Sequence, residues 1–188
     1  MRKFALGFVL AGAVLALAGC SSSPEAQPTS TIDPALIPTA PPANVIVADP
    51  TNYDDGFGEW IFKVGDGPTW CTITPGDTAA DPHFVTCEQN EASVAYDPVP
   101  APADCSASYG YQIRLWGGDK PVTFGNTKQA QFTCASSSYS DPSQAKVLPA
   151  GSEITVGDIT CFVVDVTARC DNQNKNFIVL GPRAWALG

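Results

Sequence analysis

The apolar and polar positions of this chain change rhythm three times. Residues 4 to 17 form an almost unbroken apolar run. From 21 to about 55, Ser, Thr, Pro and Ala dominate and large apolar residues are few. From about 56 to 188, short β-branched and aromatic runs alternate with Gly, Pro, Asp and Asn: "EWIFKV", "WCTIT", "HFVTC", "YQIRLW", "PVTF", "AQFTC", "SEITV", "ITCFVV" and "NFIVL". Turn sequences such as "TPGD" (74 to 77), "WGGD" (116 to 119) and "LPAGS" (148 to 152) separate them. Runs of strand length at intervals of about 8 to 12 residues predict an all-β domain, a small sandwich or barrel of short antiparallel strands. No window keeps a 3.6-residue apolar period over three turns, and "PSQAKV" allows one short helical turn at most. A domain of this size buries roughly two-thirds of its unfolded surface in one core. Trp60, Trp70, Trp116 and Trp185 supply bulk for it; Trp116 and Trp185 are also the tryptophans expected to be exposed, if any are.

The first apolar run is preceded by Arg2 and Lys3 and ends in Leu17-Ala18-Gly19-Cys20. A positive start, a short apolar segment and small residues at a cut predict a signal peptide over residues 1–19. The run is shorter than the roughly 20 residues a membrane span needs. The Leu-Ala-Gly-Cys stretch matches a bacterial lipobox, in which a diacylglycerol is attached to the cysteine thiol. Cys20 is therefore expected to carry lipid, including palmitate-type chains. Each buried CH₂ contributes about 0.8 kcal/mol, so two or three chains anchor durably. The expected location is the outer face of a plasma membrane.

Seven prolines fall between residues 21 and 50. Such a stretch buries too little surface to offset its ordering entropy, so residues 20–55 read as a lipidated, disordered stalk. The exception is "NVIVA" at 44 to 48, which also fits a strand docked on the domain.

The remaining six cysteines are Cys71, Cys87, Cys105, Cys134, Cys161 and Cys170. An even number in an exported chain predicts a disulfide framework. Zinc is the competing use, but no Cys-x-x-Cys occurs and the single histidine, His83, has no metal-ligand spacing. A weak internal repeat relates "PTWCTIT…HFVTCEQN" (68 to 90) to "DITCFVVDVTARCDNQN" (158 to 174). If both are hairpins, Cys71 faces Cys87, Cys161 faces Cys170, and Cys105 is left for Cys134. Six cysteines allow 15 connectivities, and this one rests on the repeat.

Phe62 stands nine residues before Cys71, followed by Gly67; Leu148-Pro149-Ala150-Gly151 forms a turn; Cys161, Cys170 and Phe177 close the chain. In this order the domain resembles a broad group of actinobacterial secreted and lipid-anchored proteins of unknown function. Their pattern runs through an aromatic, Ser-Pro-Ser-Gly-Asn-Ile-x-Cys, a Leu-Pro-x-Gly turn and a closing Cys…Cys hairpin. Here Val64, Gly65, Asp66, Pro68 and Thr69 replace its most characteristic residues. The resemblance covers about residues 59 to 187. It implies an exported β domain with paired cysteines and brings no active site with it.

The formal charge is −9, and −11 once residues 1–19 with their two cations are gone. An acidic surface disfavours nucleic acid and anionic headgroups as partners. The search for chemistry yields few candidates. His83 sits in a loop without a Gly-x-Ser-x-Gly nucleophile anywhere in the chain. "YDDGFGE" offers Asp54, Asp55 and Glu59, yet lacks the twelve-residue alternation of a calcium loop. "DNQNKNF" at 171 to 177 is oxygen-rich but composed of turn residues. A carboxylate pair such as Glu59 and Glu88 would serve glycoside hydrolysis if it stood about 5 to 9.5 Å apart in one cleft. No catalytic residue, metal or cofactor is assigned from the sequence. The expectation is a non-enzymatic binding or interaction module with an envelope protein or glycan as partner; the alternative is an envelope hydrolase.

Overall fold

The computed structural model describes residues 32–76, 82–118 and 128–188. Residues 1–31, with the leader and Cys20, and the run "PVTF" lie outside them. The described chain holds twelve strands and four single 3₁₀ turns. They are β1 (Ile46–Val47), β2 (Trp60–Val64), β3 (Thr69–Thr74), β4 (Phe84–Gln89), β5 (Gln112–Trp116) and β6 (Ala130–Phe132), then β7 (Lys146–Leu148), β8 (Ser152–Val156), β9 (Ile159–Val164), β10 (Thr167–Asn172), β11 (Phe177–Gly181) and β12 (Ala184–Leu187). One sheet has the order β1-β8-β9-β10-β11-β12 and the other β6-β5-β4-β3-β2-β7. The fold is the expected all-β class. All pairings are antiparallel except β1 with β8 and β2 with β7.

The sheets pack through alternate strand positions, the period a pleated strand imposes. Phe62, Val64, Ile73, Val85, Ile113 and Leu115 face inward from one sheet. Ile154, Ile159, Val163, Ile178 and Leu180 meet them from the other. All eleven are at most 1% exposed, and each contributes about 1.5 to 3 kcal/mol by leaving water.

Three disulfides join Cys71 to Cys87, Cys105 to Cys134 and Cys161 to Cys170, the pairing the repeat suggests. Cys71 stands directly opposite Cys87 on β3 and β4, and Cys161 opposite Cys170 on β9 and β10. Their Cα atoms are 4.1 and 3.9 Å apart, close to the spacing of a non-hydrogen-bonded antiparallel pair. The repeated hairpins are thus equivalent and lie one in each sheet. Gly67 has a steric reason: a Cβ there would stand 2.7 Å from Val166 Cβ, where the β2–β3 turn crosses the β9–β10 turn.

The folded part begins earlier than composition suggests, so the expected stalk boundary at residue 55 is corrected. "NVIVA" supplies β1, whose flanks are fixed by Ile46 N donating to Gly151 O and Ala48 N to Glu153 O, at 2.9 and 2.8 Å. A 3₁₀ turn at Pro50–Asn52 follows, capped by the Asp49 carboxylate. Tyr53 then bridges to the second sheet. Its carbonyl accepts from Ile61 N, its hydroxyl donates to Val147 O at 3.3 Å, and its ring meets Phe62 edge-on at 6.4 Å. Upstream, Pro38 O accepts from Arg169 on the outer face of the first sheet. Ile32, Ala48 and Tyr53 all pack against the core. A proline-rich segment with scattered apolar residues therefore wraps the sandwich, because tertiary contacts supply what its composition lacks.

Candidate functional site

The outward face of the second sheet is not solvated. Its positions form three rows across the strands: Trp70, Glu88 and Gln112; Thr72, Thr86 and Arg114; Thr74, Phe84 and Trp116. Trp70, Thr72, Thr86, Glu88, Gln112 and Trp116 are all buried. Residues 136–140, between β6 and β7, lie across this face as a strap.

Glu88 holds the strap. Its Oε1 accepts from Gln112 Nε2 at 2.8 Å and from Tyr139 N at 2.6 Å. Its Oε2 accepts from Trp70 Nε1 at 3.1 Å and from Ser140 N at 3.2 Å. Two carboxylate oxygens offer about four acceptor sites, so this acid is fully engaged. Beyond it, Ser140 Oγ pairs with Thr72 Oγ1 at 2.6 Å. The Tyr139 hydroxyl donates to Glu59 Oε1 at 3.0 Å and lies 2.9 Å from Thr74 Oγ1. Partial burial raises the pKa of that phenol above its ordinary value.

Arg114 lies under the same strap. Its guanidinium carbon sits 4.5 Å from the Phe84 ring centre, 5.0 Å from that of Tyr139 and 5.7 Å from that of Trp116. Nε donates to Thr86 Oγ1 at 2.9 Å. Desolvation holds its pKa below the ordinary value, opposed by the charge of Glu88 and the Tyr139 phenol. Among the described residues it makes no ion pair; that interaction occurs between Arg169 and Asp171. Three rings within about 6 Å attract the cation instead.

Beside the strap opens a cleft of about 170 Å³. Trp70, Gln89, Glu91, Tyr111, Gln112 and the serines at 136–138 line it. A deeper polar chain supports its floor. Thr69 Oγ1 donates to Gln89 Oε1, Gln89 Nε2 to the Tyr96 hydroxyl, and that hydroxyl to Gly110 O. Burial pushes the Tyr96 phenol above its ordinary range. Amide, hydroxyl and indole groups are thus held on rigid strands around a shallow space.

The candidates read from sequence are dispersed. Glu59 lies beside Thr74 and Glu88 opposite Trp70, four residues apart along β3. At about 3.3 Å per residue their strand positions are roughly 13 Å apart, and Tyr139 stands between the two acids, its hydroxyl bonded to Glu59 and its N–H to Glu88. Asp54 and Asp55 accept local backbone N–H groups of Gly56, Phe57 and Glu59. Asn172 Oδ1 accepts from Asn174 N and Asn176 N, while its Nδ2 donates to Trp116 O at 2.8 Å; "DNQNKNF" is a clip between sheets. His83 lies against Gly157, and its carbonyl accepts from Gly117 N. Trp116 and Trp185 are buried, at 4% and 6% exposure. Among the described residues, the one group of ligand-type atoms close enough for an ion is Cys71, Cys87 and Cys170. Those sulfurs are in disulfides and offer no thiolate. Sequence reasoning missed Asp158, whose Oδ2 accepts from Gly118 N at 2.6 Å and ties the β8–β9 turn to the end of β5.

No family model matches this chain, and no curated protein or solved structure matches it significantly. The functional reading therefore rests on the geometry above.

Proposed function

We propose that the protein is a lipid-anchored envelope protein that acts as a non-enzymatic binding module, with the cleft between Trp70, Tyr111 and the strap as its contact surface. One observation carries this reading: of the two acids that line the cleft, Glu88 and Glu91, the buried one, Glu88, is spent on four donors within the fold. A carboxylate so engaged fixes a surface; it has no lone pair to give a proton transfer. The exposed serines at 136–138, with Tyr111 beside them, offer hydroxyls that suit a polyhydroxylated or polar partner, such as an envelope glycan. The lipobox at Cys20 supports attachment to the outer face of the plasma membrane, and the resemblance to actinobacterial lipid-anchored proteins agrees with it.

The test uses purified protein, soluble envelope glycan fragments and a Tyr111→Ala variant. Saturable binding by the parent, lost in the variant with unfolding unchanged, is expected. Release of new reducing ends from the fragments by the parent protein would establish the hydrolase instead. The anchor is tested separately by Cys20→Ala, which should free the exported protein from the membrane fraction.

A further inference from the structure

The two hairpin disulfides do more than staple their own sheets, because they meet in the middle of the sandwich. Cys71, Cys87, Cys161 and Cys170 are all at most 1% exposed. Cys87 Sγ and Cys170 Sγ, one from each sheet, lie 3.9 Å apart. The sulfurs of Cys71, Cys87 and Cys170 are mutually within 4.8 Å, whereas Cys161 stands outside that group. The sulfur in contact with Cys87 across the interface is therefore Cys170.

We propose that these four cysteines form an exchange-coupled pair, in which reduction of one hairpin bond moves the other into a bond between the sheets. A dithiol reductant first converts Cys71–Cys87 into two thiols and is itself oxidised to a disulfide. The Cys87 thiolate then forms a bond to Cys170 Sγ. The Cys170–Cys161 bond breaks, and its electron pair leaves on Cys161, which takes up the proton that Cys87 lost. The exchange itself involves no net oxidation. The product is a Cys87–Cys170 bond joining β4 to β10, with thiols at Cys71 and Cys161.

The sulfurs need to approach by about 1.9 Å, from 3.9 Å to a bond of about 2.05 Å. A bond between two packed sheets is also the arrangement that immunoglobulin sandwiches use. Apolar surroundings disfavour the attacking thiolate, so the rearrangement is expected over minutes to hours. Loss of one bond would then leave the two sheets tied directly, with neither hairpin keeping its own staple. Cys105–Cys134 takes no part, since its cysteines are outside the sulfur group.

The Cys71→Ser variant tests this without any reductant, because it leaves Cys87 as a thiol beside the intact Cys161–Cys170 bond. After incubation at mildly alkaline pH, alkylation and non-reducing peptide mapping should recover Cys87–Cys170 with the label on Cys161. Label on Cys87 alone, with Cys161–Cys170 intact, would overturn the proposal. If that variant does not fold, partially reduced native protein decides the matter. Molecules retaining a single core bond should carry it as Cys87–Cys170. A retained bond found only in its original pairing, or no one-bond species at all, would refute the coupling.

Discussion

Replacing Glu88 by glutamine keeps the side chain's shape and inverts half of its hydrogen bonding. Each carboxylate oxygen accepts from two N–H donors. A glutamine must turn its NH₂ toward one of those pairs, setting donor against donor in either orientation. Two charge-assisted bonds are then lost, at about 1.5 to 3 kcal/mol each. The strap is thin, and water can reach donors that it releases, so the lower end of the sum applies, about 3 kcal/mol. With a urea dependence of about 2 kcal/mol/M, the midpoint of unfolding should fall by about 1.5 M. Amide exchange gives a local reading as well. The Tyr139 and Ser140 amides, which donate to Glu88, should lose protection in the variant while those of β9 and β10 keep theirs. A midpoint within about 0.2 M of the parent, with both strap amides still slow, would refute the reasoning. It would mean that the hydroxyl contacts of Ser140 and Tyr139 hold the strap without the acid.

Other outcomes follow from the same geometry. Cys134 is exposed and Cys105 half-buried, so mild dithiothreitol should reduce their bond before the two in the core. Its loss removes closure of a 29-residue separation, costing about 3.5 kcal/mol in the chain-entropy model, read as a fall in Tm. Tyr53→Ala should cost about 2 to 3 kcal/mol in urea unfolding, because the ring and hydroxyl join both sheets. A variant as stable as the parent would show that the wrap is incidental. The Asp49 and Asp141 carboxyls are held below their ordinary value of 3.8 by hydrogen bonds from Thr51 and Ser143, respectively. Their folded pKa being depressed, the caps are at full strength above that value and fade as pH falls through the lowered one. An NMR titration should place both midpoints below 3.8, with the Thr51 and Ser143 amide shifts following them.

Much of the fold was legible because strand runs and turns alternate plainly. "EWIFKV", "WCTIT", "HFVTC", "YQIRLW", "SEITV", "ITCFVV" and "NFIVL" all contain strands of the sandwich. The hairpin repeat led to the disulfide pairing, since cysteines facing each other across a ladder are both close and equivalent. The short strands were legible only in part: "AQFTC" contains β6 and "NVIVA" fitted either stalk or docked strand, whereas β7 and β12 lie in no such run. β1 is two residues long, and its side chains are largely exposed, Ile46 at 64% and Val47 at 70%. It is a strand through backbone bonds, which leave no hydrophobic pattern. The strap was illegible for a different reason. "ASSSYS" reads as a loop, and its place over the second sheet depends on bonds to Glu88, 51 and 52 residues away. A signal did exist on the sheet itself. Trp70, Thr72 and Thr74 occupy outward positions of β3 with no charge among them, which a solvated face would carry.

The wrap has a mechanical consequence. Tension applied from the N-terminal side first meets the packing of Ile32 and the Pro38–Arg169 bond, then β1, held by two flanking backbone bonds, and then Tyr53. It does not act directly on β2, which is paired on both sides by β3 and β7. Peeling residues 46–59 would release up to about 45 Å of extended chain at 3.3 Å per residue. Only then would force reach the disulfide-stapled strands. The first segment thus works as an extensible shock absorber, giving length under tension while the sandwich stays folded.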